Sequence, residues 1–500
     1  MKIITDEKMN FNSLEENTFK KMMELGRDLI RDELKLIDKL IKQYRDKDIF
    51  KIKDMQMTTI KTKLGEIEFS RRRYEMQING TKKCIYLLDE LLEINSIGQY
   101  SQSVVEMIVR EITKKSYRET AKTVSEDTES TITYTAVRNI VISLGKKIKQ
   151  LEEEKIKLYE KGEIEGTKEA KYIFCEHDGI YIKKQKSKKH KGKKKIKVKH
   201  FKHNKKKKNK NGIELKIAVI HEGKEPRYTN DFKLKNKIIV GTAAKANDLK
   251  RIENATIGTT YKEYAIKNLV INGDGADWTA SIVEGAKEIF QLDMSHIQKK
   301  IYMSVSNEEY LKKMQEVVYT EQPEDIFSLI YNYKVELEFD KRIEELKKVE
   351  ELEEYLRNNE KGILRYQYKL GYKENQFKEI EQELPSLGSE ESQMYCVCRE
   401  RMKKNRTSWS LEGAESILKV IMNKMNGTIK EIITNKAEEK IKEELAQRIP
   451  EPKKVAKIRY EKMRYVGTVR ILENITRDYT KQNIKNILRA KKCSELMLIN

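Results

Sequence analysis

Residues 172–184 read YIFCEHDGIYIKK and residues 268–276 read NLVINGDGA, and these two apolar stretches decide the fold. Both are rich in β-branched and aromatic residues, which favour strands. Helical patterns at 246–264 and 279–289 separate the later apolar stretches. Three early strands followed by alternating helix and strand predict a mixed α/β sheet in a helix-rich protein. The remaining strand-like stretches are IELKIAVIHEG (213–223), KNKIIVGTA (235–243) and IFQLD (289–293).

The charge of this 500-residue chain points to a polyanionic partner. Lys and Arg number 103 against 80 Asp and Glu, which gives a net charge of +23. Residues 183–210 alone contain 17 Lys and no acid. Such a run favours a solvated loop, because like charges repel and little apolar surface is available to bury. Beside a nucleic-acid site it would add salt-sensitive, sequence-independent affinity by releasing counterions.

Several classes of protein are excluded. No apolar run approaches the ~18–20 residues that cross a bilayer, so no membrane partner is expected. The N-terminus lacks the apolar core and cleavage site of a secretory signal. Five cysteines without a CxxC pair indicate reduced thiols rather than a disulfide framework. These features predict a cytoplasmic protein, associated with the nucleoid if its partner is DNA.

Two N-terminal features are candidates for DNA contact. The pattern at 116–148 gives helix, polar break and helix, which suits a helix-turn-helix but also any two packed helices. The predicted hairpin at 60–76 carries Arg71, Arg72 and Arg73. These arginines are predicted to contact DNA phosphates; the alternative is that they cap the surface of the hairpin.

Three acids stand out by their positions. Asp178 lies in mid-strand, where a charge is costly without a partner. Asp274 lies at the C-terminal end of a strand, between Gly273 and Gly275, and ligand sites gather at such ends. Glu391 begins a predicted helix. If the three carboxylates converge, divalent cations would relieve their repulsion, and Mg²⁺, or Mn²⁺ as a substitute, suits hard oxygen ligands. Asp-Gly pairs are also ordinary turn signals, which leaves that alternative open.

The order and spacing of several blocks resemble a group of bacterial insertion-sequence transposases. This group was long catalogued as a family of uncharacterised proteins and is related to the Mutator-like transposases. The resemblance spans most of residues 55–420, from IKTKLGEIEFSRRRYE (60–75) and SYRETAK (116–122) onward. The remaining blocks are EHDGIYI (176–182), ELKIAVIHEG (214–223), NGDGADW (272–278), IFQLDMSHIQKKI (289–301) and the region from SEESQ at 389 to AES at 416.

This resemblance implies an RNase H-like catalytic core with a DDE triad. Block by block, the triad falls on Asp178, Asp274 and Glu391, with the adjacent Glu390 as the alternative third carboxylate. Asp293 and His296 match the family's Asp-x-x-His pattern, although Met294-Ser295 replaces the usual Pro-Phe pair between them. The resemblance implies that His296 contacts the scissile phosphate; the alternative is a helix-start histidine satisfied by backbone.

The chain is accordingly predicted to have five parts. They are a mostly helical N-terminal region (1–165), the first part of the catalytic core (166–305), an all-α insertion (306–385), the closing part of the core (386–430) and a basic helical tail (431–500).

The expected function is a DNA transposase that cleaves element ends and transfers strands to target DNA with two Mg²⁺ ions. Its partners would be element-end and target DNA, with a homo-oligomer assembled on the DNA. Basic residues past the glutamate would assist at the phosphate or form a solvated face. Two alternatives remain: a non-catalytic nucleic-acid-binding descendant of a transposase, and a structure-specific nuclease of the RNase H fold. The basic candidates are Arg401, Lys403, Lys404 and Arg406.

Overall fold

The structure is a computed structural model of the whole chain. It divides into two compact units, and the division falls at 140/141, inside one long helix. In the described part of the chain no helix is long and apolar enough to cross a membrane. The residues that the structure describes are 10–78, 81–94, 98–185, 212–228, 231–276, 279, 285, 287–388, 400–403 and 407–434.

The N-terminal unit combines helices with a three-stranded antiparallel sheet. Its chain order is α1 (Phe11–Tyr44), β1 (Lys51–Thr62), β2 (Gly65–Ile78), β3 (Thr81–Ile85), α2 (Leu87–Leu92), α3 (Gln102–Ile112) and α4 (Tyr117–Thr128). The predicted hairpin is confirmed, and β2 lies between β1 and β3. The apolar face of α1, with Leu34, Ile37 and Ile41, packs on Ile67 and Phe69 of β2.

The candidate helix-turn-helix at 116–148 contains two helices, as predicted. The second is α5 (Tyr134–Glu160), and residues 129–133 connect it to α4. Ser116 caps α4 in a capping box with Glu119, which explains where the first helix begins. DNA recognition by this pair stays a prediction.

The second unit is built on a five-stranded mixed sheet. Its strands in chain order are β4 (Tyr172–Lys183), β5 (Gly212–His221), β8 (Ile238–Thr242), β9 (Asn268–Gly273) and β10 (Glu288–Leu292). They lie in the order β10-β9-β4-β5-β8. β4 pairs antiparallel with β5 and parallel with β9, β5 pairs antiparallel with β8, and β9 pairs parallel with β10. The mixed α/β sheet predicted from the sequence is therefore confirmed.

Helices and connecting segments cover both faces of this sheet. On one face, Ile173 and Cys175 of β4 pack with Leu249 of helix α6 (Ala246–Thr260). On the other face, Phe174 packs with Tyr366, which lies in the helical segment after β10. Alternate residues of β4 thus belong to different cores, as the two-residue period of a strand requires.

A small two-stranded hairpin between β5 and β8 was not predicted. Its strands are β6 (Lys224–Tyr228) and β7 (Asp231–Leu234). Pro226 within β6 disfavours a strand in sequence-based reasoning, but an isolated two-stranded ribbon has an outer edge on which proline is tolerated.

The charged segment after β10 is helical, as predicted. The helices are α7 (Met294–Ser304), α8 (Glu308–Val317), α9 (Ile326–Phe339), α10 (Ile343–Asn358), α11 (Glu360–Ile363), α12 (Tyr366–Lys369) and α13 (Phe377–Ile380). The longer ones share a core that includes Ile297, Ile330, Tyr333 and Leu356. Because Leu292 of β10 belongs to the same core, the insertion is anchored to the sheet.

Two helices close the described chain, α14 (Leu411–Met425) and α15 (Ile429–Ile433). The C-cap residue of α14, Asn426, binds the edge strand β8 with both atoms of its amide. Its Oδ1 accepts from the Ile239 N–H (2.9 Å), and its Nδ2 donates to the Ile239 carbonyl (2.8 Å). This two-armed contact fastens the end of α14 to the sheet.

We expect Asn426→Ala to lower the free energy of unfolding by about 1–3 kcal/mol, because it removes the hydrogen bonds to the N–H and to the carbonyl of Ile239. Urea unfolding followed by circular dichroism measures the change. The control is Asn358→Ala, at an exposed position near the end of α10, for which less than ~0.5 kcal/mol is expected. Equal losses in the two variants would show that the contact to Ile239 contributes nothing.

Candidate active site

Asp178 and Asp274 lie at the same edge of the sheet. β4 and β9 are parallel neighbours, and their pairing ends at Glu176 opposite Asn272. Two residues further along each strand stand Asp178 and Asp274, which are therefore level in this register. Because side chains alternate along a strand, Asp178 and Asp274 continue the face of the sheet on which Glu176 and Asn272 lie. The structure thus brings together two of the three predicted carboxylates.

Backbone contacts fix both aspartates. The Gly179 N–H donates to Asp178 Oδ1 (2.6 Å), and the Ala276 N–H donates to Asp274 Oδ1 (3.0 Å). Asp178 is buried, with 8% of its surface exposed, whereas Asp274 is partly exposed. The Tyr355 hydroxyl donates to the Asp274 carbonyl (2.9 Å) and so ties helix α10 to this strand end.

Gly275 is required at this turn for two reasons. Its φ of +78° lies in the left-handed region, which residues with a Cβ rarely adopt. A Cβ there would also lie 2.9 Å from Asn359 Nδ2. The second glycine of the pattern Gly-Asp-Gly at 273–275 is therefore needed for the backbone conformation that follows Asp274.

A third aspartate, Asp293, joins this edge from the next strand. Its N–H donates to the Gly273 carbonyl (2.8 Å), and its Oδ2 accepts from Asn272 Nδ2 (3.0 Å). Its Oδ1 accepts from the His296 N–H (3.0 Å), which makes Asp293 the N-cap of α7. The Asp-x-x-His spacing is thus that of a capped helix start.

His296 faces the carboxylates of this edge. Its Nδ1 lies 3.5 Å from Asp293 Oδ1. The pKa of His296 is raised, chiefly by Asp293, while burial opposes the shift and the charges of Asp274 and Asp178 add to it. These interactions favour the imidazolium form. They also show that the fields of Asp178 and Asp274 converge on one side chain.

Sequence reasoning missed a buried anchor beside the two aspartates. Glu176 lies two residues before Asp178 on the same face of β4, and its side chain is fully buried. Its Oε1 is 3.0 Å from His221 Nε2, and its Oε2 accepts from the Gly388 N–H (2.7 Å). A Cβ on Gly388 would lie 3.5 Å from Asp293 Oδ2. Glu176 therefore holds the chain just before the glutamate region close to the aspartate edge.

The opposite face of β4 carries another buried polar pair. His177 Nε2 lies 2.7 Å from Glu253 Oε2 of α6, and both side chains are almost completely buried. This pair links α6 to the face of the sheet opposite to that of Glu176 and Asp178. The alternation of Glu176, His177 and Asp178 was visible in the sequence, but only the structure shows which partners each one meets.

The remaining predicted site residues fall into two groups. Glu391, its alternative Glu390, Lys404 and Arg406 lie outside the described residues, as does most of the lysine-rich loop at 183–210. Lys403 is exposed. Arg401 is buried, with its guanidinium 5.0 Å from the centre of the Trp409 ring. Contact of Arg401 with phosphate stays a prediction.

The three hairpin arginines all form ion pairs within the N-terminal unit. Arg71 pairs with Asp89, Arg72 with Asp38 and Arg73 with Asp54. Arg71 is buried and lies over the Tyr86 ring at 4.1 Å; its contact with DNA phosphate stays a prediction. For Arg72 and Arg73, contact with DNA stays a prediction.

The described residues supply only part of the carboxylate ligand set that a hard divalent cation would need. Two aspartates occupy equivalent register positions at one edge of the sheet, and a third carboxylate is predicted outside the described residues. Within the described ranges no cluster of three or more His, Cys, Asp or Glu side chains has the arrangement of a metal site. The predicted site thus depends on Glu391 for its third ligand.

The fold and this edge define a mixed α/β protein with two aspartates at equivalent register positions of neighbouring parallel strands, one inside β4 and one just after β9. The model of an uncharacterised protein family, UPF0236, matches residues 4–440, and the chain belongs to that family. Similar proteins occur in Caldanaerobacter subterraneus subsp. tengcongensis. One UPF0236 protein there is 25% identical over 421 residues, which cover 82% of this chain and 76% of the relative. Another is 26% identical over 420 residues, which cover 82% and 73%.

Proposed function

We propose that this protein is a DNA transposase that cleaves and joins phosphodiester bonds with divalent metal ions. The observation that supports the proposal is the register of β4 and β9: Asp178, inside β4, and Asp274, just after β9, each lie two residues past the last paired residue of their strand. Neighbouring carboxylates repel one another, and a bound divalent cation relieves that repulsion, so such an edge is suited to Mg²⁺.

The topology of the sheet supports an RNase H-like core. The first strand of the unit, β4, is central and carries Asp178. The second and third strands extend the sheet antiparallel on one side, and the fourth and fifth extend it parallel on the other. This order agrees with the fold that the resemblance to insertion-sequence transposases implies.

Asp178 and Asp274 would hold the metal, together with Glu391. Two such ions bound there would supply activation of a water or a DNA hydroxyl and stabilisation of the leaving oxygen. The protein's own part is to keep the two aspartates in register: β4 and β9 fix their backbones, and the Gly179 and Ala276 N–H groups orient their carboxylates.

His296 would bind the phosphate. The raised pKa of His296 favours a cationic donor, and a charged donor makes a stronger hydrogen bond to a phosphate oxygen than a neutral one. Asp293 holds the backbone of His296 at the start of α7 and so fixes the position of the imidazole.

The test is cleavage of a labelled duplex that carries the end of the element encoding this chain. The sequence of the element end is identified beforehand from short inverted repeats in the DNA that flanks the coding sequence. We expect a free 3′-hydroxyl at the end in Mg²⁺ or Mn²⁺, and intact duplex in EDTA. Binding without metal-dependent cleavage would contradict the proposal and favour a non-catalytic descendant. Cleavage of branched DNA but not of the element end would favour a structure-specific nuclease.

A further inference from the structure

A basic groove runs between α1 and the hairpin in the N-terminal unit. Its volume is about 620 Å³. One side is formed by the C-terminal half of α1 and the residues that follow it, and the other by Met55, Ser70 and Arg72 of β1 and β2. The groove contains six cationic side chains and one carboxylate, that of Asp38. The six are Lys35, Lys39, Lys42, Arg45, Lys47 and Arg72.

The carboxylate of Asp38 is neutralised by another residue of the groove, Arg72. Asp38 is buried, and burial raises its pKa while Arg72 opposes the shift. The Arg72 N–H donates to Asp38 Oδ1 (3.1 Å), and its guanidinium contacts Oδ2. Asp38 and Arg72 therefore cancel each other, and Asp38 does not balance the lysines around it.

Three of the lysines have no carboxylate partner among the described residues. Lys35 pairs with the exposed Asp32 at 3.2 Å, and Arg45 donates through Nε to the Phe50 carbonyl. Lys39, Lys42 and Lys47 are exposed and form no ion pair with any carboxylate in the described ranges. The free positive charge of the groove is thus concentrated on these three side chains.

The spacing of the lysines on α1 suits a chain of anions rather than a single one. Lys35, Lys39 and Lys42 recur every three to four residues, so they lie on one face of the helix and span about 10 Å. Like charges at this spacing destabilise a helix slightly, and a bound polyanion relieves that repulsion. Met55 is the only large apolar residue of the groove. Polar walls of one sign fit a phosphate backbone better than a lipid surface.

We propose that this groove binds the sugar-phosphate backbone of duplex DNA without reading its sequence. The choice of DNA as the polyanion rests on the proposed function; the groove, its charge and its unpaired lysines do not. Affinity would come from the counterions that the phosphates release when the lysines replace them. The groove is distinct from the three hairpin arginines predicted earlier, of which only Arg72 lines it.

The experiment compares two triple variants of the full-length chain with equal loss of charge. The groove variant is K39Q/K42Q/K47Q. The control is K312Q/K347Q/K348Q, at exposed positions of α8 and α10. Binding of a labelled random-sequence duplex is measured by fluorescence anisotropy from 50 to 200 mM salt. EDTA is present throughout, so the result does not depend on catalysis. Thermal melting confirms that both variants are folded.

In a plot of log affinity against log salt, we expect the slope of the groove variant to be shallower than that of the wild type by two to three, because each phosphate contact contributes about 0.9. The control should change by less than one. Equal changes in both variants, or none in the groove variant, would overturn the proposal. If poly-glutamate of matched charge displaces DNA from the wild type as well as unlabelled duplex does, the groove binds acidic polypeptide and the assignment to DNA is wrong. If the groove variant binds DNA more weakly than the wild type but the wild type never cleaves the element end, the groove proposal stands and only the transposase proposal is rejected.

Discussion

Replacement of Asp178 or Asp274 by Asn is expected to abolish Mg²⁺-dependent cleavage of the element end. Asparagine keeps the size of the side chain and one oxygen but loses the negative charge that attracts the cation. Changes to residues that merely support a metal ligand already cost 10–100-fold in metal affinity or activity. We therefore expect each single substitution at a ligand to reduce the cleavage rate by more than about 100-fold, measured as initial rates on a labelled duplex.

Stability and DNA binding should be unaffected by these two substitutions. Removing one of two neighbouring like charges relieves repulsion, so the melting temperature of each variant should equal or exceed that of the wild type. Affinity for element-end DNA in EDTA should stay within about threefold. The matched control is Asp340→Asn, at an exposed position just after α9, which should cleave at the wild-type rate. Cleavage by the Asp178→Asn, Asp274→Asn double variant at more than a tenth of the wild-type rate would refute the assigned site.

Much of the sheet was predictable because its strands are nearly continuous apolar runs. Residues 172–184 and 268–276 were assigned to strands from composition alone, and the structure places β4 and β9 there. Their parallel pairing was not predicted, because four strands and helix α6 lie between them in the chain and no pattern in the sequence marks them as neighbours. Asp178 and Asp274 are level because each lies two residues beyond the last paired residue of its strand.

The buried polar partners were not predictable, because they depend on contacts between distant parts of the chain. Glu176 meets Gly388, which lies 212 positions away. Neither residue type nor spacing marks that pairing in a single sequence. Likewise, the run Arg71–Arg73 reads as a surface charge cluster. Only the structure shows that Asp38, Asp54 and Asp89 meet these arginines one by one.

Glu176→Ala is expected to be among the most destabilising single substitutions in the second unit. The side chain is fully buried and satisfies two donors, His221 Nε2 and the Gly388 N–H. Alanine leaves both without that acceptor in the interior, and each unsatisfied group costs about 1–3 kcal/mol. We expect the free energy of unfolding to fall by about 2–5 kcal/mol, measured by urea denaturation.

Glu176→Gln separates the loss of a buried acceptor from the loss of side-chain volume. Its amide has one carbonyl oxygen, so only one of the two donors keeps an acceptor while the NH₂ group faces the other. The loss of stability should therefore be intermediate between those of wild type and Glu176→Ala. Glu160→Ala is the control, because Glu160 forms an exposed ion pair with Arg251 (2.8 Å), and such pairs contribute about 0–1 kcal/mol.

The same variant distinguishes a purely structural role from a positioning role. Gly388 stands three residues before Glu391, so the contact with Glu176 would help to position the predicted third carboxylate. At a temperature where Glu176→Gln is fully folded, we expect cleavage to be reduced 10–100-fold, as for other residues that orient metal ligands. Raising the Mg²⁺ concentration should restore part of the rate, since a displaced ligand weakens metal binding. A folded variant that cleaves at the wild-type rate would confine Glu176 to stabilising the sheet.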